Sequence, residues 1–249
     1  MARSDKAISP QIYARAAGAV YVLVIVLGAF SEGFVNQALI VPGDAAQTAR
    51  HILDRAQLWQ LALASDLIIP VLAAFGVWVS YVLLSPVSRT LILLDVFLNL
   101  VSLAVEAVSK MFLLLVLPIL SEAAYGRGFG PAQIEALAHL ALRSHDIMFN
   151  IALIFFGCSC LIEGYLIFIS GFLPKAIGAL IALAGICYLV ACFATLFAPA
   201  LADFLTPGIL LPVVVGESAY ALWLLVKGVN VARWEERVRE AEPGLARAM

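Results

Sequence analysis

Asp95, Asn99, Glu106 and Lys110 punctuate an otherwise apolar stretch, DVFLNLVSLAVEAVSK. At about 100° per residue along an α-helix they occupy a sector of roughly 60°, flanked by Ser102 and Ser109. Glu106 precedes Lys110 by four residues, the favourable order for an ion pair on one helix face. Lys110 is therefore expected to act as counter-ion to Glu106. An unpaired charge near the centre of a bilayer costs about 2.5–3.5 kcal/mol on insertion scales. The stripe should face other helices or a wet cavity, and not lipid.

Other apolar stretches carry groups that could meet it. Glu32 and Asn36 stand four residues apart, Asp66 lies in LALASDLIIP, and His145, Asp146 and Asn150 cluster in RSHDIMFN. Glu217 sits in VVVGESAY, and Glu163 in LIEGYLIF. Six acids (Glu32, Asp66, Asp95, Glu106, Glu163 and Glu217) thus share these stretches with one cation, Lys110. One lysine compensates one carboxylate; the others must be protonated, hydrogen-bonded, hydrated or bound to a cation. The expectation is a ligand-binding or proton/cation-relay site of Glu32, Asp66, Glu106, Lys110, Asp146, Asn150 and Glu217, with His145 at its mouth. Asn150 would orient its neighbours by hydrogen bonding. Asp95, Asn99 and Glu163 would form a secondary polar path inward.

Three kinds of function fit these residues. The first is a binding or transport protein that takes protons, a cation or a small polar molecule, with carboxylates as relays. The second is an intramembrane metal-dependent hydrolase, with zinc held by His51, His139 or His145 and a nearby carboxylate as base. No H-E-x-x-H spacing occurs, and His139 and His145 diverge by roughly 120° around a continuous helix. The residues therefore favour a binding protein over an enzyme, with no metal or cofactor expected. The third is a structural or partner-binding membrane protein, although its tail, NVARWEERVREAEPGLARAM, reads as a solvated helix at the membrane surface, with Trp234 anchored at the interface, and not as a docking motif. P-loop, dinucleotide, nucleophile-elbow and haem-attachment motifs are all missing from the sequence.

The elements that must position these groups follow from composition. Of 249 residues, 63% are hydrophobic and 13% charged, against about 25% charged in a soluble domain. The net charge of −2 excludes an electrostatic nucleic-acid surface. Six apolar segments reach membrane-spanning length, at 15–41, 58–84, 89–119, 145–170, 175–199 and 208–228. The first is too long for a signal-peptide core and is expected as a retained span. The chain reads as a single all-α polytopic membrane domain, 1–249, with the tail at 229–249 and the lipid bilayer as its surroundings. Pro42-Gly43, Pro86, Pro118, Pro174 and Pro207 punctuate the spans, while Pro70 and Pro212 fall inside them. Ten basic residues fall on the side of the termini and four on the other, which predicts cytoplasmic termini. Two outer connections look like short interfacial helices: PGDAAQTARHILDRAQLW, capped by Asp44, and GPAQIEALAHLALRSHD, opened by Pro131. Cys158, Cys160, Cys187 and Cys192 do not share helix faces pairwise and are expected as small core residues.

Three segments carry a resemblance over most of the chain: EGFVNQALIVPGDAA, LIEGYLIFISGFLPKAIGALIALAG and LLPVVVGESAYALWLLVKGVNVARW. From about Ala14 to Trp234 the sequence resembles the bacterial membrane proteins grouped as domain of unknown function 4386. The resemblance implies a compact polytopic bundle in a bacterial cytoplasmic membrane. It implies no catalytic residue.

Overall fold

The computed structural model describes residues 9–121, 128–205 and 208–245, with side chains to residue 241. All regular structure among the described residues is helical. In chain order the helices are α1 (Pro10–Leu39), α2 (Ala45–Asp54), α3 (Ala56–Leu84), α4 (Arg89–Ser121), α5 (Pro131–Ser170), α6 (Lys175–Phe197), α7 (Pro199–Leu205), α8 (Leu211–Val226) and α9 (Val231–Leu245). Helices α1, α3, α4, α5, α6 and α8, the last with its leading turn Gly208–Leu210, are long and apolar enough to cross a membrane. Six crossings bring the start of α1 and the end of α8 to one face, here the terminal face. Gln11 at the start of α1 donates to the Lys227 carbonyl at 2.8 Å and accepts from the Val229 amide at 3.0 Å, tying these ends together.

Local chemistry explains the boundaries. Pro10 opens α1 where its missing N–H costs nothing. Gly43, at φ 79°, turns the chain, and the Asp44 side chain accepts from the Gln47 amide at 2.8 Å to start α2. Arg55 (φ −124°, ψ 39°) then breaks the helix before α3. Gly171, at φ 80°, closes α5 in the left-handed conformation that glycine adopts without strain.

Several expectations need correction. Helix α2 is separate, as expected, and its Thr48, Ala49 and Ile52 are buried against the bundle. The second interfacial helix does not exist as a unit. Residues 131–141 are continuous with the fourth span in one 40-residue helix, about 60 Å long at 1.5 Å per residue. No break occurs near Ser144, whose hydroxyl donates to the Leu140 carbonyl at 2.8 Å. Pro118 lies inside α4, which continues to Ser121, and Pro70 lies inside an unbroken α3. Pro212 opens α8 and does not interrupt it. Pro207 and Arg127 lie outside the described residues, as do Arg3, Lys6 and Arg247.

Two antiparallel contacts with a seven-residue rhythm hold the middle of the bundle. Between α4 and α5, Asp95 meets Ser159, Ser102 meets the Ala152 carbonyl, and Ser109 meets His145, a step of seven on each helix. The next step in that register joins the buried pair Val116 and Ala138. Between α5 and α6 the rhythm is carried by glycine. A Cβ on Gly164 would lie 2.7 Å from the Gly178 carbonyl, and one on Gly185 would lie 2.7 Å from the Gly157 carbonyl. A seven-residue repeat keeps one seam facing its partner along the whole contact, and the small residues let the backbones touch.

The tail helix docks on the terminal face of the bundle. Trp234 Nε1 donates to the Leu83 carbonyl at 2.9 Å, at the end of α3. Arg233 donates to Gly171 O at 3.0 Å, and Arg237 to Ser170 O and Ile169 O, each at 3.2 Å. These acceptors are the orphan carbonyls at the end of α5, which a cation satisfies best.

Buried apolar residues form two main bodies. One, near the terminal face, contains Ala17, Val79, Ile92 and Cys160. The other, toward the opposite face, contains Val35, Leu63, Leu113 and Leu142. Buried polar residues separate them on every helix concerned: Ser31 on α1, Asp66 on α3, Asp95 to Lys110 on α4, and His145 to Ser159 on α5.

Candidate functional site

Lys110 is 1% exposed and organises the half of this polar layer farther from the termini. Its Nζ lies 3.2 Å from Glu32 Oε1 and 3.6 Å from Asp66 Oδ2. It also sits 4.8 Å from the centroid of the Phe149 ring. Two carboxylates and an aromatic face thus surround the ammonium group, an arrangement that offsets its desolvation. Ser31 Oγ donates to Asp66 Oδ1 at 2.6 Å, and Asn36 Nδ2 donates to Glu32 Oε2 at 2.7 Å. His145 Nε2 lies 3.7 Å from Glu32 Oε1, its ring stacks on Phe149, and its Nδ1 faces the Ser109 carbonyl at 3.3 Å. Four helices converge here.

The backbone of α1 is unusual at this point. Residues Ala29–Asn36 form a π-helical stretch. Its i→i+5 bonding widens each turn, and such segments are frequent at functional sites. The widened turn brings consecutive residues to adjacent tasks: Ser31 binds Asp66 while Glu32 binds Lys110.

Of the groups expected to meet, Glu32, Asp66, Lys110 and His145 do. The expected Glu106–Lys110 pair does not form. Lys110 turns toward α1 and α3, where two acids outweigh the one on its own helix, and Glu106 stays half-buried with no ion pair among the described residues. Only its backbone carbonyl is engaged, accepting from Ser109 Oγ at 2.6 Å. Asp146 is exposed and pairs with Arg143 at 3.6 Å. Asn150 bonds the Asp146 carbonyl of its own helix at 2.8 Å and orients nothing in the cluster. Glu217 lies elsewhere, between α8 and α6, accepting from the Tyr188 hydroxyl at 2.7 Å.

The half nearer the termini has its own polar groups. Ser159 Oγ donates to Asp95 Oδ1, and Asn99 Nδ2 donates to Ser159 Oγ. Glu163 Oε1 accepts from Ser80 Oγ at 2.8 Å and from the Tyr220 hydroxyl at 3.2 Å. Among the described residues no Lys, Arg or His forms an ion pair with Asp95, Glu163 or Glu217.

His51 and His139 form no ion pair among the described residues. Among the described residues no three His, Cys, Asp or Glu side chains are arranged to hold a metal ion. Cys160, Cys187 and Cys192 are buried free thiols and Cys158 is half-buried. Sequence reading missed Ser31, Phe149, Ser159, Ser80, Tyr188 and Tyr220. A period of 3.6 residues cannot reveal a π-helical turn, and hydroxyl partners on other helices leave no local trace.

Fold and buried charge together define a polytopic membrane protein, a six-span helical bundle with a polar layer at mid-depth. The chain belongs to the family described as domain of unknown function (DUF4386), which it matches over residues 16–228. No curated protein and no solved structure matches it.

Proposed function

We propose that the protein is a transporter-like relay: the Lys110 cluster binds and releases a proton, in exchange with a cation or small polar ligand. Charge balance at one place carries this reading. Glu32 and Asp66 contribute two negative charges against the single positive charge of Lys110, so these three contacting groups lack one positive charge, with Glu106 half-buried one turn away on α4. His145, 3.7 Å from Glu32, is a base able to carry it. The Glu32 side chain is 35% exposed whereas Lys110 and Asp66 are each 2% exposed, which gives the buried pair one outlet. Apolar bodies on both sides of the layer suit an occluded site between two faces.

The basic residues on the terminal face support a cytoplasmic location for both termini, and we take the membrane to be a bacterial cytoplasmic one. Fusions of a periplasm-active reporter to each end should both stay inactive; activity at either end would refute this orientation.

The cluster is tested by hydrogen-ion titration of the protein in lipid nanodiscs. The unmodified chain should take up one proton more through the neutral range than Asp66→Asn, in which Lys110 and Glu32 already balance. Superimposable curves would overturn the reading.

A further inference from the structure

We propose that Asp95 is a second proton-binding station, separate from the Lys110 cluster, with the proton held on Oδ2. It lies fifteen residues before Lys110 on α4, roughly 22 Å away along the helix axis. Asp95 is 0% exposed. Its Oδ1 accepts from Ser159 Oγ, with Asn99 Nδ2 at 3.5 Å, while its Oδ2 is buried without a hydrogen-bond partner. A lone carboxylate oxygen shut away from water is costly because each carries acceptor sites that solvent would otherwise fill.

Among the described residues no cation pairs with it. On α5, one turn beyond Ser159, stands a second acid, Glu163. Ser80 of α3 and Tyr220 of α8 donate to Glu163, and neither carries a positive charge. No Lys, Arg or His pairs with either acid among the described residues. Two neighbouring carboxylates without a cation do not both ionise readily. Forming one O–H bond at Asp95 Oδ2 removes the charge from a buried carboxylate that has no cation paired with it among the described residues. Asn99 and Ser159 fix the other oxygen, so the proton has one defined seat.

This inference does not rest on the Lys110 reading, and the two fail separately. The test is infrared spectroscopy of the protein in nanodiscs at neutral pH, in choline chloride and then in sodium chloride. A protonated-carboxyl C=O band that shifts in deuterium oxide is expected in the unmodified chain. It should be lost in Asp95→Asn and retained in Asp66→Asn and Glu32→Gln. Aspartate-selective 13C labelling of the unmodified chain should move the same band, which covers the case in which Asp95→Asn does not fold. A band that the label leaves in place would overturn the proposal. So would a band that disappears in sodium chloride, which would make the station a sodium site.

Discussion

Lys110 shows how much a single side chain can organise. Its ammonium group faces Glu32, Asp66 and the Phe149 ring, so truncation strands two acids in a place that water does not reach freely. Removing one partner of a buried ion pair costs about 3–5 kcal/mol. Lys110→Met should lose stability of that order in a reversible unfolding assay in mixed micelles, and adding Asp66→Asn should recover part of the loss. A loss below about 1 kcal/mol, the range of exposed pairs, would mean the cluster is solvated. The stripe on α4 was legible from the sequence because a 3.6-residue period is visible in one segment. The partner of Lys110 was not, since competition between acids on three helices depends on tertiary placement. The local rule that favoured Glu106 is worth only about 0.2–0.5 kcal/mol, and two cross-helix carboxylates outweigh it.

Helices set the spacing of these groups through two different seams. The α5–α6 contact has no room for a side chain at its glycines: a Cβ on Gly164 would fall 2.6 Å from the Ala182 nitrogen. Gly164→Leu should force the helices apart and cost about 1–3 kcal/mol, as overpacking does. Gly76→Ala, where nothing lies within 4 Å, should be neutral or slightly stabilising in the same assay. Equal effects would remove the close contact from the account. Helix α9 makes a second prediction. Arg237→Ala together with Trp234→Phe removes donors to three carbonyls on α3 and α5. Limited proteolysis within residues 231–241 should then accelerate several-fold while the spans stay intact. An unchanged rate would mean the tail is held by other contacts. The six spans could be read from hydropathy alone. The fusion of residues 131–141 with the fourth span could not, because a periodic segment that continues a helix looks the same as one that ends beside it.

Across the molecule the polar layer is bounded by apolar bodies on both sides. The sequence places acids and hydroxyls at intermediate positions in the spans, and the fold gathers them between the two bodies. Sequence reading gathered too many groups into one site. Asp146 turned outward, while Glu217 and Glu163 settled with tyrosines of neighbouring helices. Two carboxyl groupings remain, one around Lys110 and one around Asp95, with the Ser102 and Ser109 contacts between α4 and α5 lying between them in sequence. A relay through that layer is what the whole arrangement would serve. The most direct test is proton flux into proteoliposomes carrying an entrapped pH-sensitive dye, driven by a potassium diffusion potential. The account predicts flux above that of protein-free liposomes, reduced at least ten-fold in both Asp66→Asn and Asp95→Asn. Flux equal to that of empty liposomes, or flux untouched by both substitutions, would contradict it.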